Sequence, residues 1–498
     1  MTGIKKLFGD AALYGMSSVL ARLLNFLLTP LLTVYLTKTE YGINALLYVS
    51  VAFLMVILTY GFETAYFRMV GKSENDSRSV FSTAMWSVLS TTGLFLLLAH
   101  LFYGSASAVF SLADRPWFVL MMAWIVAMDV IATIPFARIR SQSRAARFVW
   151  IKTAQILFNL LLNFLFFMVL PSFYPDWPSL GVGWVLIANL GASLLMLLLL
   201  VPEFRAIRWE FDVIIWKRML WFGFPLLLAG LPGIANEMAD RFFLDALLPP
   251  SLALEGVATY AAIYKLSIFL ILFNQAFRFA AEPYFFGQAE TGGEGGRKQL
   301  ALAARLFAGM LCIGFVFVLA ALPWLKHFVA SKYWADLGLL PVLLFANVLL
   351  SLNTQVSMWY KLSDKTRFGL YITLLGFVVT VVGNMHWIPL IGIMGAAYAT
   401  LASYSVMLLM SVLMGQRHYP VPYDFLRIGG YVVVSVLLAW TAFHFDATFI
   451  KVGALIAMVG IVVGSEWKLL SGPTTTCPPL LQRRQPAWTF VPFLTLTS

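Results

Sequence analysis

Apolar stretches long enough to cross a lipid bilayer recur along the whole chain, and they constrain its fold more than any other feature. Many exceed the roughly 18 residues that mark a transmembrane helix. Only 11% of the 498 residues are charged, whereas a soluble domain carries about 25%. The apolar runs are continuous rather than alternating, which excludes a β-barrel. We predict fourteen spans, near residues 12–36, 43–65, 80–103, 117–137, 152–170, 182–201, 219–244, 258–285, 299–322, 337–359, 369–388, 392–414, 428–446 and 449–467.

Basic residues cluster in alternate loops, which predicts the orientation of the chain. Residues 138–152 alone carry five of them, while the opposite set of loops holds only Lys38, Arg115, Lys326, Lys332 and Lys451. Loops rich in Lys and Arg stay in the cytoplasm, and an even number of spans puts both termini on that side. This distribution also accounts for the net charge of +11 without nucleic acid as a partner.

Three pairs of segments recur at a spacing of a little over two hundred residues. The pairs are EYGINALLYVS (40–50) with LEGVATYAAIYKLS (254–267), RSQSRAARF (140–148) with KLSDKTRF (361–368), and LGVGWVLIANLGAS (180–193) with IGIMGAAYATLAS (391–403). Six spans per unit give two parallel halves related by an axis along the membrane normal. We predict an all-α polytopic membrane protein with two six-helix lobes, a central cavity and two additional helices. The predicted parts are an N-terminal lobe (1–205), a C-terminal lobe (206–415), spans 13 and 14 (416–470) and a loosely held cytoplasmic tail (471–498).

Charged residues within the spans are few, and each costs about 2.5–3.5 kcal/mol at the bilayer centre, so they usually face a partner or a watery cavity. In span 1, Ser18, Arg22, Asn25, Thr29 and Thr33 share one face at 100° per residue. We expect Arg22 and Asn25 to line the cavity. The Ser and Thr side chains are better explained by helix packing.

Span 7 contains NEMADRFFL, with Glu237, Asp240 and Arg241 in its predicted outer half, after Pro225 and Pro232. Glu237 and Arg241 are four residues apart and could pair along one helix face. The helix interruptions are typical of the moving part of a transporter. Alternatively, the three charges neutralise one another and end the helix at the interface, with Arg241 extending outward. The sequence leaves these two interpretations open.

Span 8 carries Lys265 in its outer half and Arg278 and Glu282 near its cytoplasmic end, where the last two could pair or anchor the helix. Lys265 and Arg278 lie about 140° apart on a straight helix, so both can face one cavity only if the helix bends. The cations that remain unneutralised would attract an anion, and a phosphate or diphosphate group fits. Glu63 and Asp129 could bind a coupling ion, or could pair with a nearby Arg such as Arg68 or Arg138.

Several motifs for chemistry are missing from the sequence. There is no G-x-x-x-x-G-K-[ST] phosphate-binding loop, and the histidines and cysteines show no metal-ligand spacing. We therefore expect no metal and no cofactor. The uncharged polar residues of spans 10 and 11 suit sugar hydroxyls, but helix–helix hydrogen bonds are the favoured interpretation for each one singly; they are Asn347, Ser351, Thr354, Gln355, Thr380 and Asn384.

Four segments resemble bacterial polysaccharide flippases, the Wzx-like members of the multidrug/oligosaccharidyl-lipid/polysaccharide (MOP) exporter superfamily. They are SSVLARLLNFLLTPLLTVYLTKTEYGINALLYVS, ADRFFL, GVATYAAIYKLSIFLILFNQAFRFAAEPYFF and IPLIGIMGAAYATLASY. The resemblance covers about residues 5–465 in a similar order. It implies two six-helix lobes plus two helices in a V shape around a central cavity.

The resemblance also implies a function. An undecaprenyl-diphosphate-linked oligosaccharide, an O-antigen, capsule or exopolysaccharide unit, would cross the bacterial cytoplasmic membrane by alternating access. Arg22, Arg241 and Lys265 would bind the diphosphate or acidic sugars, and Asp240 would hold or regulate Arg241. Partners would be membrane lipids and the polysaccharide polymerase and chain-length machinery.

Two alternatives remain at this stage. A multidrug/cation antiporter of the same superfamily would have an acid-dominated cavity, against which Arg22 and Lys265 count. An integral-membrane polysaccharide polymerase or ligase would need outer loops that carry its chemistry, and the outer loops here are short. We therefore predict a transporter rather than an enzyme.

Overall fold

A computed structural model describes residues 20, 22–71, 76–109, 112, 114–278, 294–363 and 365–470, and its regular structure is helical. The α-helices are α1 (Arg22–Tyr35), α2 (Lys38–Thr59), α3 (Phe62–Val70), α4 (Ser77–Val109), α5 (Trp117–Ser141), α6 (Ala145–Phe164), α7 (Leu170–Phe173), α8 (Val182–Phe204), α9 (Val213–Met238), α10 (Asp240–Leu247), α11 (Pro250–Lys265), α12 (Ile268–Arg278), α13 (Glu294–Ala320), α14 (Leu322–Leu325), α15 (Leu339–Val356), α16 (Met358–Leu362), α17 (Arg367–Ile391), α18 (Ile393–His418), α19 (Phe425–His444) and α20 (Thr448–Leu470). A π-helical segment, Leu165–Val169, joins α6 to α7, and 3₁₀ segments cover Lys326–Phe328 and Ser331–Asp336.

The described residues contain twelve helices long and apolar enough to cross a membrane, and a thirteenth span if a bent pair is counted as one. The bent pair is α11 and α12, which meet at 49°. The shorter apolar helix α1 coincides with predicted span 1, whose first part lies outside the described residues. The predicted all-helical, multi-pass fold class is confirmed, and the tail 471–498 also lies outside the described residues.

Two glycines at matching positions of the sequence repeat share an unusual backbone conformation. Gly181 precedes α8 with φ 53° and ψ −122°, and Gly392 precedes α18 with φ 64° and ψ −140°. These dihedral angles are disfavoured for residues with a Cβ atom. The shared geometry supports the predicted correspondence between spans 6 and 12.

The two predicted lobes touch at both ends of the membrane region. Toward the predicted outer side α11 packs along α2, where Gly42 lies directly against the backbone of Leu254. Toward the predicted cytoplasmic side α9 packs against α2, α3 and α4, and a Cβ atom on Gly223 would lie 2.5 Å from the carbonyl oxygen of Tyr60. Both contacts bring backbones together because glycine has no side chain there.

A second outer contact joins the end of α1 to the segment between α14 and α15. The Ala330 amide donates to the Thr33 hydroxyl at 3.2 Å, and the Lys332 ammonium donates to the Leu36 carbonyl. The rings of Phe26 and Phe328 stack at 5.2 Å. This contact ties the first helix of one half to a loop of the other.

Helices α19 and α20 are held to the second half by a buried ion-pair network. Arg305 on α13 reaches Glu466 on α20 at 2.7 Å and Asp424, before α19, at 3.4 Å. The Tyr431 hydroxyl donates to Glu466 at 2.8 Å. Removing one partner would leave an uncompensated buried charge, so the network fixes these two helices.

Candidate functional site

Predicted span 7 is divided into two helices within its charged motif. Helix α9 ends at Met238, and α10 begins at Asp240. Pro225 and Pro232 lie inside α9, and proline removes a helix hydrogen bond and kinks the axis. The charges of NEMADRFFL therefore lie at a break between two helices.

Arg241 is 7% exposed, and its guanidinium contacts one carboxylate, one backbone carbonyl and two aromatic rings. Its Nη1 atom donates to the Asp240 carboxylate at 2.9 Å and to the backbone carbonyl of Glu237 at 3.0 Å. The guanidinium also lies over the rings of Tyr264 and Tyr260, at 4.9 and 5.5 Å. The four-residue spacing predicted that the Glu237 carboxylate would pair with Arg241. In the structure, Arg241 instead pairs with the Asp240 carboxylate and with the backbone carbonyl of Glu237.

Arg22 and Lys265 come close enough to this cluster to interact with it electrostatically. The Lys265 ammonium is repelled by Arg241 and by Arg22. Within the described part of the chain, neither Arg22 nor Lys265 has a hydrogen-bond or ion-pair partner. Lys265 is exposed although protein atoms surround it. This combination is expected of a side chain that faces an internal cavity.

Lys265 lies at the bend in predicted span 8. It is the last residue of α11, and α12 continues at an angle of 49° after two residues. Arg278 is partly buried at the end of α12, and Glu282 lies outside the described residues. The predicted pair of Arg278 with Glu282 therefore lies partly outside the described residues. The angle of about 140° between Lys265 and Arg278 assumed a straight helix, and the bend means that this angle no longer applies.

Glu237 is partly exposed beside the cationic cluster. Its carboxylate interacts electrostatically with Arg241 and Tyr264 and has no hydrogen-bond or ion-pair partner among the described residues. The cluster thus contains three cations, Arg22, Lys265 and Arg241. It also contains two carboxylates. Asp240 forms an ion pair with Arg241, and Glu237 has no ion-pair partner among the described residues.

The polar stripe of span 1 divides into two parts. Arg22 is partly buried and Asn25 is exposed, whereas Thr29 and Thr33 are buried. The Thr33 hydroxyl donates to the Thr29 carbonyl at 2.8 Å within its own helix. Ser18 lies outside the described residues. The threonines thus contribute to helix packing, as predicted for these side chains.

Glu63 lies on α3 and Asp129 on α5, in the first half of the chain. Glu63 pairs with Arg140 at 2.5 Å, rather than with Arg68 or Arg138. Asp129 accepts a hydrogen bond from Ser193 at 2.8 Å and interacts electrostatically with Lys152. Their role as ion-coupling residues stays a prediction.

The uncharged polar residues of spans 10 and 11 pack helices together. Asn347 donates to the Leu343 carbonyl at 2.8 Å in its own helix. Thr380 donates to the Asn236 side chain at 3.1 Å, which joins α17 to α9. Thr380 and Asn384 are both buried. Packing therefore accounts for these groups better than sugar binding does.

Several neighbours of the cationic cluster were not singled out from the sequence. Tyr260 and Tyr264 face Arg241, and Tyr404 donates to the Asn236 carbonyl at 3.3 Å. Tyrosines four residues apart on an apolar helix are ordinary core residues by pattern, so the sequence contains no signal for this role. Among the described residues, no group of three His, Cys, Asp or Glu side chains could hold a metal ion.

Comparisons with known proteins identify the family. A family model whose description is "polysaccharide biosynthesis protein" matches residues 7–287, more than half of the chain. A search of curated proteins finds no match. The match covers the first predicted lobe and the charged motifs of spans 7 and 8.

Solved structures share the fold at low sequence identity. A structure of the lipid II flippase MurJ in an inward closed conformation superposes with a TM-score of 0.69 at 11% identity, covering 91% of this chain and 99% of that one. An inward-facing multidrug resistance MATE transporter of the MOP superfamily gives 0.59 at 14%, covering 83% and 98%. The MATE multidrug transporter DinF-BH gives 0.60 at 15%, covering 84% and 96%. The chain therefore belongs to the polysaccharide biosynthesis protein family and has the transporter fold of the MOP superfamily.

Proposed function

We propose that this protein flips an undecaprenyl-diphosphate-linked oligosaccharide across the bacterial cytoplasmic membrane, toward the periplasmic leaflet. The observation that carries the proposal is the meeting of Arg22, Lys265 and Arg241, of which only Arg241 has a carboxylate partner among the described residues. A cavity with unneutralised cations attracts an anion, and Arg and Lys donate charge-assisted hydrogen bonds to phosphate oxygens.

The three cations take different parts in this proposal. Asp240 and the Glu237 carbonyl hold Arg241 in place, so Arg241 positions the site and contributes little net charge. Arg22 and Lys265 are uncommitted, so they bind the diphosphate. The uncommitted carboxylate of Glu237 is repelled by a bound diphosphate, and this repulsion favours release when the site opens.

Helix interruptions supply the movement that transport needs. The cations lie at or near the break between α9 and α10 and the bend between α11 and α12, where the interrupted backbone can change its dihedral angles. Discontinuous helices of this kind form the binding sites of many transporters. The glycine contacts at both ends of α2 are then the surfaces that separate in turn as access alternates.

The experiment measures leaflet access of a fluorescent lipid-diphosphate-linked oligosaccharide in proteoliposomes. Each charge-assisted hydrogen bond contributes about 1.5–3 kcal/mol, or roughly tenfold or more in affinity, so the Arg22→Gln/Lys265→Gln double variant should lose most flipping. The matched control is Lys326→Gln, a cation outside the cluster, which should retain it. Full flipping by the double variant would sink the proposal. Efflux of cationic drugs instead of the lipid would favour the antiporter.

A further inference from the structure

Polar side chains follow one face of α6 through the membrane region. Lys152, Gln155, Asn159 and Asn163 share this face at about 100° per residue. We call these four residues the α6 polar stripe. The π-helical segment Leu165–Val169 follows it directly, and π-helical segments occur frequently at functional sites.

The stripe continues across two neighbouring helices as a chain of hydrogen bonds. Asn163 donates to the Asn159 side-chain oxygen at 2.6 Å, and Asn159 donates to Asn189 on α8 at 3.2 Å. Asn189 donates to the Tyr48 hydroxyl on α2 at 2.8 Å. The Tyr48 hydroxyl hydrogen has no acceptor in the described part of the chain.

Except for Asn163, which is fully buried, these residues line a recess rather than a packed core. Tyr48 is 40% exposed although protein atoms surround it, and Gln155, Asn159 and Asn189 are partly exposed. A polar side chain that faces lipid is costly, so the exposed part of each group faces an internal, hydrated space. Three helices, α2, α6 and α8, contribute to its wall.

The corresponding helix of the second half has its polar face covered. On α17, Thr380 and Asn384 are 1% and 0% exposed. The Asn236 side chain of α9 covers this face, since it accepts from Thr380 at 3.1 Å and donates to the Thr373 carbonyl at 3.0 Å. The polar residues of α17 are therefore used for packing, whereas most of those on α6 stay partly accessible, so packing alone does not account for the α6 polar stripe.

The charges of the recess cancel, which indicates the class of ligand. Its charged groups are Asp129 and Lys152, which attract each other, and Lys152 is also attracted by Glu63. The recess therefore has no surplus positive charge that would attract an isolated anion. The Lys152 ammonium would compete with any bound cation for the carboxylate. Amides both donate and accept hydrogen bonds, so the recess suits a neutral, hydroxyl-rich ligand.

We propose that the accessible part of the α6 polar stripe, Lys152, Gln155 and Asn159, binds the sugar hydroxyls of the transported lipid-linked oligosaccharide together with Asn189 and Tyr48. This inference rests on the proposed function. Helix α2 packs against α10 and α11 of the cationic cluster and also contributes Tyr48 to the recess. The diphosphate at Arg22 and Lys265 and the sugars at the stripe therefore bind on helices that share α2.

The experiment compares two probes on the purified full-length protein in nanodiscs. One probe is undecaprenyl diphosphate, and the other is the undecaprenyl-diphosphate-linked oligosaccharide extracted from the strain that carries this gene. The variants Asn159→Leu and Asn189→Leu keep side-chain size and remove hydrogen bonding. We expect each to weaken binding of the sugar-bearing probe about tenfold, the order of one or two lost hydrogen bonds, and to leave the bare diphosphate unchanged.

The controls separate this inference from the proposed function. Asn347→Leu removes a membrane amide that bonds within its own helix, and it should change neither probe. Arg22→Gln/Lys265→Gln should weaken both probes equally. Equal effects of the stripe variants on both probes, or no effect, would overturn the sugar site. So would altered dependence of transport on an ion gradient with unchanged sugar discrimination. If the wild-type protein binds neither probe, the proposed function itself fails.

Discussion

Asp240 and Arg241 are consecutive residues whose side chains form an ion pair, with 2.9 Å between Asp240 Oδ1 and Arg241 Nη1. The same carboxylate oxygen accepts the Arg241 backbone amide at 3.0 Å. Both residues are more than nine-tenths buried. Because Arg241 is neutralised locally, the proposed attraction of a phosphate falls to Arg22 and Lys265.

Asp240→Asn should destabilise the protein strongly. It leaves Arg241 buried without its counter-charge, and breaking a buried pair on one side costs about 3–5 kcal/mol. Arg241→Gln should cost a similar amount, while the double variant should cost less than the sum of the two, since neither charge is left alone. Thermal unfolding in detergent measures all three. Additive losses would show that the two side chains do not depend on each other.

Lys265→Gln should change stability and binding in opposite directions. The variant removes repulsion by Arg241 and Arg22, so the empty protein should gain at most about 1 kcal/mol, since solvent in the cavity screens this repulsion. Pyrophosphate binding should weaken because a donor and a charge are lost. Unfolding with and without pyrophosphate separates the two effects, and Lys265→Arg serves as the control that keeps the charge. A loss of stability in Lys265→Gln would contradict the repulsion.

The fold was predictable from the sequence because its main determinants are local. Apolar runs and the distribution of basic residues define membrane spans, and short repeated segments such as those ending in Phe148 and Phe368 indicated two related halves. The sequence indicated the interruptions of spans 7 and 8 in part. Pro225 and Pro232 indicated the first, and the angle between Lys265 and Arg278 on a straight helix indicated the second.

The partners of the charged groups were less predictable, because they depend on side-chain direction and on distant helices. Helix spacing predicted Glu237 as the partner of Arg241, whereas the structure pairs Arg241 with the adjacent Asp240. The pairing of Glu63 with Arg140 joins residues 77 positions apart. The helical spacing of the α6 polar stripe is visible in the sequence. Its accessibility is not, because it depends on which side chains the neighbouring helices cover.

Gly42→Ala and Gly223→Ala should separate the lobes at opposite ends. A Cβ atom at residue 42 would clash with the Leu254 carbonyl, and one at residue 223 would lie 2.5 Å from the Tyr60 carbonyl. Each variant should favour opening at its own end and slow flipping. Thiol accessibility of cysteines placed near each contact measures the opening. Gly233→Ala is the matched control, since nothing lies within 4 Å of its Cβ position; equal accessibility in all three would contradict the interpretation.

The contact of Lys332 with α1 should strengthen as the pH rises. Burial lowers the pKa of the Lys332 ammonium below its usual value of 10.5, and the charge of Lys38 lowers this pKa further, against the opposing effect of Glu40. Protonation is therefore disfavoured in the contact. The contact is strongest at a pH where Lys332 is neutral both in the contact and when the contact is open. It weakens as the pH falls, first through the usual pKa of the free side chain and then through the lowered pKa of the side chain in the contact.

Spin labels at the exposed residues Thr39 and Ala335 can measure this contact. Their distance distribution in the wild-type protein should shift toward the longer value as the pH falls. In Lys332→Gln the shift should disappear, because no proton is taken up there. A pH-dependent shift of the same size in Lys332→Gln would assign it to another group.

Gly181→Ala should destabilise the protein more than Gly392→Ala, although the two glycines occupy matching positions of the repeat. Both have a backbone conformation that costs about 1–3 kcal/mol for a residue with a side chain. At residue 181 the new Cβ atom would also clash with the Glu40 carboxylate, whereas at residue 392 nothing lies within 4 Å. Glu40 caps the start of α2 through Thr37 and pairs with Arg115 at 3.6 Å, so displacing it loosens that helix end as well. Thermal unfolding of the two variants, with Glu40→Ala/Gly181→Ala to remove the clash, measures the difference. Equal losses in the single variants would show that backbone strain alone sets the effect.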